Sequence, residues 1–172
     1  MTRIPLWPAS VLASALACVL LAAPTAAADK ATAVLKNSKG KTVGTVTLTA
    51  VPTGVLLNAD LTALLPGDHA FHIHGTGKCE PPDFKSAGGH FNPEEDKHGL
   101  TSEAGPHSGD MPNIHVPESG RLHIEVLNQM VSLPGLFSGE GTAIVIHQGP
   151  DDYKTNPAGA AGPRIACGVI KK

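Results

Sequence analysis

Short Val- and Thr-rich runs cut by turn residues constrain the fold of this chain more than any other feature. "ATAVLKN" (31–37) and "TVGTVTLTAV" (42–51) flank "SKGK", a hairpin signal, and "PTG" then turns the chain into "VLLNADLTAL" (55–64). "PGD" leads into "HAFHIHG" (69–75). Downstream come "RLHIEVLNQMVSL" (121–133), "GTAIVIHQ" (141–148) and "RIACGVI" (164–170). No long segment carries the 3.6-residue apolar period of a helix. Seven or eight short strands joined by Gly/Pro turns predict an all-β sandwich or Greek-key barrel. With four Phe and one Tyr in the whole sequence, its core must be aliphatic.

The first 28 residues read differently. "MTR" gives a basic start, "IPLWPASVLASALACVLLAAP" is apolar, and an A-A-A pattern ends at Ala28. This is the pattern of a secretory signal peptide with cleavage before Asp29, leaving one domain over 29–172 in the periplasm or otherwise exported. "ALAC" also resembles a lipoprotein processing site, so a form lipid-anchored at Cys18 is a second expectation, and membrane contact would follow only from it. Loss of Arg3 from the 13 Lys and Arg leaves 12 basic against 15 acidic side chains, net −3, which does not favour a nucleic-acid partner. Loss of Cys18 leaves Cys79 and Cys167, an even pair that in an exported chain predicts a disulfide. Closing so long a loop is worth about 4–5 kcal/mol in the chain-entropy model.

Two stretches, about 75–118 and 148–163, lack any strand pattern, and loops this long are usually functional. All nine histidines lie between positions 69 and 147, at strand ends or inside the first of these loops. His72 and His74 are two apart in a strand, so both imidazoles leave the same face while Phe71 and Ile73 point into the core. His147, at the end of "TAIVI", adds a third nitrogen. Imidazoles without a thiolate suit copper, and also zinc, iron or nickel. In the loop, His90, His98, His107 and Asp110 make a His/His/His/Asp set that fits a closed tetrahedral zinc site. His69, His115 and His123 are expected to be ordinary half-buried strand side chains.

"HAFHIHGTGKC", "AGGHFNP", "KHG", "HSGD", "VIHQGPDD" and "GPRIACGVI", in this order over nearly the whole chain after residue 28, resemble the signatures of the Cu/Zn superoxide dismutases in their bacterial exported form. The resemblance implies an eight-stranded Greek-key barrel with a metal-binding loop and an electrostatic loop. It implies copper on His72, His74, His90 and His147, and zinc on His90, His98, His107 and Asp110, so that His90 bridges the two. Asp151 would orient one histidine of each set from outside, Arg164 would draw the anion to copper, and Cys79 would pair with Cys167. One copper and one zinc per subunit would dismute superoxide to dioxygen and hydrogen peroxide, in antioxidant defence. The family includes both monomers and homodimers. A periplasmic copper- or zinc-binding buffer or delivery module is the alternative that the ligand count alone allows.

Overall fold

The computed structural model describes residues 29–172, so the expected signal peptide and Cys18 lie outside the described residues. The described chain is almost all β, with nine strands and two 3₁₀ turns. The strands are β1 (Lys30–Asn37), β2 (Thr42–Val51), β3 (Gly54–Leu61), β4 (Gly67–His69), β5 (Phe71–His74), β6 (Ile114–Val116), β7 (Leu122–Asn128), β8 (Ala143–His147) and β9 (Arg164–Lys171). Seven pair antiparallel in the order β5-β8-β9-β1-β2-β3-β7, and β4 pairs with β6. β4 and β5 are one strand interrupted at Ala70, whose N–H donates to Gly149 O and whose carbonyl accepts from His147 N, both at 2.9 Å. Counted this way the barrel has the expected eight staves. β6 runs through a short turn into β7, so the β4–β6 ladder links the two edges of the seven-strand order and curls it into a barrel. The chain leaves β3 beside one edge and resumes at the other, and it returns between β7 and β8, which makes the Greek key.

Alternation builds the core. β1 buries every second residue, Ala31, Ala33 and Leu35, against Val46 and Leu48 of β2 and Leu57 of β3. β5 is different, because all four of its residues are buried. Phe71 and Ile73 belong to the barrel core, while His72 and His74 face outward and are covered by the first long loop. That loop is shorter than expected: Ile114–Val116 pair with β4, so it ends at residue 113 rather than 118. "RLHIEVLNQMVSL" also shortens, to β7, before a loop containing a 3₁₀ turn at Gly135–Phe137.

The first long loop is fastened to β5 by backbone hydrogen bonds. Ile73 N donates to Gly109 O at 2.9 Å, Phe91 N to Ile73 O at 2.8 Å, and Gly109 N to Phe91 O at 2.8 Å. A second fastening is the disulfide Cys79–Cys167, with Cα atoms 5.6 Å apart and a sequence separation of 88. It sits in a small apolar cluster with Phe84, Ala87, Ala143 and Val145 that clamps the head of the loop onto β8 and β9.

Candidate metal centre

Two donor sets converge where β5, the end of β8 and the first loop meet. His72, His74, His90 and His147 form one; His90, His98, His107 and Asp110 form the other. All seven residues are buried, and within each set the donor atoms lie within 4.8 Å of one another. The six imidazoles and one carboxylate that the sequence predicts are therefore brought together, with His90 common to both sets. Its ring lies 4.1 Å from that of His72, and its Nδ1 is 2.7 Å from Asp110 Oδ1.

The outer hydrogen bonds of the rings show which atoms are turned inward. His72 Nε2 bonds Asp151 Oδ2 at 2.8 Å, His74 Nδ1 donates to Gly88 O at 3.0 Å, and His147 Nδ1 donates to Gly162 O at 3.1 Å. The remaining nitrogens face a common point: His74 Nε2 and His147 Nε2 are 3.4 Å apart. On the other side His98 Nε2 bonds Asp151 Oδ1 at 2.9 Å, leaving Nδ1 to face Asp110. Among the described residues, three buried side-chain nitrogens have no hydrogen-bond partner: His72 Nδ1, His90 Nε2 and His98 Nδ1. A buried polar atom without a partner costs about 1–3 kcal/mol. These three lie among the donor sets, where a metal ion would satisfy them.

Burial holds His72, His74, His107 and His147 below the usual imidazole pKa, His147 at about 4. They are therefore neutral at physiological pH, the form that donates a lone pair. Burial pushes the Asp110 and Asp151 carboxyls up, but their hydrogen bonds prevail. Those from His90 and the Gly99 N–H hold Asp110 well below the carboxylate range, and those from His72, His98 and the Tyr153 N–H hold Asp151 at about 2. The first set, four nitrogens without thiolate or carboxylate, fits copper; the second, three nitrogens and one carboxylate in a closed pocket, fits zinc.

Arg164 stands beside the first set. Its Nη1 donates to Phe84 O at 2.7 Å and its Nη2 to Gly88 O at 2.6 Å, the carbonyl that also accepts from His74. The guanidinium is thus fixed, and its charge helps to keep His74 and His147 unprotonated. His69, His115 and His123 stay out of both donor sets. His115 and His123 are exposed and pair with Asp68 and Asp60. His69 is not half-buried but enclosed, bonding His147 O at 2.9 Å and Leu65 O at 2.8 Å, so it braces the strand end that carries His147.

Three residues escaped the sequence reading. Asn113 grips the backbone of Asp151, Tyr153 bonds both of them, and Gly159, at φ +63°, lies where a side chain would strike the Asp151 carboxylate and come within 2.8 Å of His98 Nε2. Their partners are set by tertiary folding, and only the glycine's place in a turn-rich loop is a sequence signal.

A family model described as copper/zinc superoxide dismutase matches residues 42–170. The superoxide dismutase [Cu-Zn] 1 of Aquifex aeolicus is 51% identical over 163 residues, covering 91% of this chain and 96% of its own. The superoxide dismutase [Cu-Zn] of Caulobacter vibrioides is 47% identical over 148 residues, covering 82% and 85%. Among solved structures, the Cu/Zn superoxide dismutase of Brucella abortus superposes with a TM-score of 0.71 at 29% identity, covering 83% of this chain and 99% of that one. Shared length, shared fold and two donor sets of the right composition agree, and the chain belongs to the copper/zinc superoxide dismutase family.

Proposed function

We infer that this protein dismutes superoxide with copper held by His72, His74, His90 and His147 and zinc held by His90, His98, His107 and Asp110. The observation that carries the assignment is His90. Its Nδ1 faces Asp110 and His107, while its Nε2 is buried without a hydrogen bond toward the other set. Copper, when bound, supplies the one-electron chemistry by which two superoxide anions and two protons become dioxygen and hydrogen peroxide.

The chain's own groups do the rest. His90 Nε2 is buried beside the first donor set, so a proton held there is close to where peroxide needs one. Asp151 accepts from one histidine of each set and so fixes both rings and their tautomers. Arg164 holds a positive charge near the copper donors and attracts a small anion that offers almost no surface for shape recognition. Arg164, fixed beside the copper donors without belonging to either donor set, is not needed by a metal buffer, which favours the enzyme.

The proposal includes export. The apolar N-terminal segment and the disulfide both suit a compartment that permits disulfides, with Asp29 as the mature N terminus or Cys18 as a lipidated one. Mass spectrometry of the native N terminus decides between these two. For the activity, metal analysis of the purified protein is combined with a superoxide decay assay. One copper, one zinc and fast decay are expected; both metals without dismutation would point to a buffer.

A further inference from the structure

Asp151 lies outside any strand, yet its carboxylate must meet two imidazoles at hydrogen-bond distance. What holds it is a closed ring of three residues. Asn113 Nδ2 donates to Asp151 O at 2.9 Å, and Asp151 N donates to Asn113 Oδ1 at 2.8 Å. Asn113 N donates to the phenolic oxygen of Tyr153 at 2.7 Å. Tyr153 N donates to Asp151 Oδ1 at 2.6 Å, which closes the ring.

Tyr153 also reaches the zinc-side loop. Its carbonyl accepts from Thr101 N at 3.1 Å and from Thr101 Oγ1 at 2.9 Å. Gly99, beside the zinc-side His98, has φ +114°, and a Cβ there would strike the Tyr153 carbonyl, so the loop can approach only because that position is glycine. Tyr153 itself sits at φ +61°. For a bulky residue this costs on the order of 1–3 kcal/mol and persists only where surrounding contacts enforce it. It is the sole tyrosine of the chain. Its side chain touches the segment that follows Asp110, its N–H touches Asp151, and its carbonyl touches the loop that follows His98.

We propose that Tyr153 is a positioning residue of the dismutation centre: it fixes Asp151, and through Asp151 the rings of His72 and His98. The proposal rests on the role assigned to Asp151 above. A residue that merely staples one loop to another would act on metal retention independently of Asp151, whereas a positioning residue acts through it.

The test is a double-mutant cycle of Tyr153→Phe and Asp151→Ala on protein loaded with copper and with cobalt in place of zinc. The readouts are the rate of cobalt transfer to a chelator, the cobalt d–d spectrum and the copper EPR signal. Asp151→Ala should release cobalt about 10–100-fold faster, the range for loss of such an outer partner. Tyr153→Phe should release it about tenfold faster, with a shifted d–d spectrum. The double variant should be no faster than Asp151→Ala alone. Asn113→Ser, which opens the same ring elsewhere, should show the same lack of additivity and serves if Tyr153→Phe does not fold. Wild-type retention in Tyr153→Phe, or an equal acceleration by it in both backgrounds, overturns the proposal while the role of Asp151 stands. Wild-type retention in Asp151→Ala overturns the role of Asp151 and the proposal together.

Discussion

His72 and His74 owe their shared direction to the alternation of a strand, whereas His90, His98, His107 and Asp110 stand on a loop with no ladder of its own. The strand side is organised by the barrel. Phe71 and Ile73 lock β5 into the core, and β8 brings His147 alongside through the Phe71–Ile146 and Ile73–Ile144 pairs. The loop side is organised by scattered fastenings: the Ile73–Gly109–Phe91 backbone bonds, the disulfide, and the carboxylates of Asp110 and Asp151. A redox site needs rigid ligands with one approach left open. A closed site can share in folding its own loop, because metal binding there contributes to the stability of the folded state.

The two regions separate most visibly at single ligands. His72→Ala should abolish superoxide turnover while zinc stays bound. His107→Ala should lose zinc and lower the melting temperature yet retain copper and part of the turnover. Metal analysis beside a decay assay reads both variants, and equal loss of both metals in each would contradict separable sites.

Gly159→Ala presses on the point where the two regions meet, since its methyl would displace the Asp151 carboxylate that both share. Zinc should leave for a chelator about 10–100-fold faster, and copper EPR should report a changed geometry. Unaltered retention would mean that Asp151 is not a determinant of either site.

Arg164→Glu sharpens the strand side. The rate with superoxide should fall about tenfold or more, within the range of electrostatic steering. Its salt dependence should weaken or reverse, screened over about 10 Å at 0.1 M salt. Pulse radiolysis at several ionic strengths measures this, and a wild-type rate and slope would move the guiding role to another cation, first Lys154, which is exposed in the loop that carries Asp151.

Cys167→Ser sharpens the loop side. It should cost about 2–5 kcal/mol, and zinc retention should fall with it because the loop head is no longer clamped. Calorimetry with metal analysis checks this; unchanged values would leave the disulfide without a part in holding the loop.

Acid gives the smallest expected effect. In the metal-free protein burial holds His147 at about 4 against 6.5 and lowers His72, His74 and His107 as well. The unfolded chain protonates His147 near pH 6.5, whereas the folded chain refuses that proton until about 4, and burial shifts the other three imidazoles in the same direction. Stability is therefore complete above about 6.5 and lost as pH falls toward 4. Asp151, held at about 2 against 3.8, adds its loss only below that window. The melting temperature of chelator-treated protein should drop by about 5 °C or more between pH 7 and 4.5. A flat profile would mean that these imidazoles are not held neutral by burial.

Which parts were legible in the sequence follows from the same contrast. The period of two in "FHIH" places two nitrogens on one face without knowledge of any partner, and the count of cysteines points to the disulfide. The hairpins and the second loop were legible from turn residues. The interruption at Ala70 was not, because it depends on bonds to Gly149 and His147. Nor were Asn113 and Tyr153, whose bonds join positions 38 and 40 residues apart. His69 gave the pattern of an ordinary strand histidine, and only the fold reveals two carbonyls facing its ring. Residues that act through backbone partners leave no spacing to read, whereas ligands on a strand do.

The proposed function hangs on one imidazole, His90, serving both metal sites. Electron paramagnetic resonance of the protein with Cu(II) in the first site and Co(II) in the second tests it most directly. A ring bonded through both nitrogens couples the two spins, so filling the second site should quench the copper signal of the first. A copper spectrum of full intensity with both sites filled would contradict it.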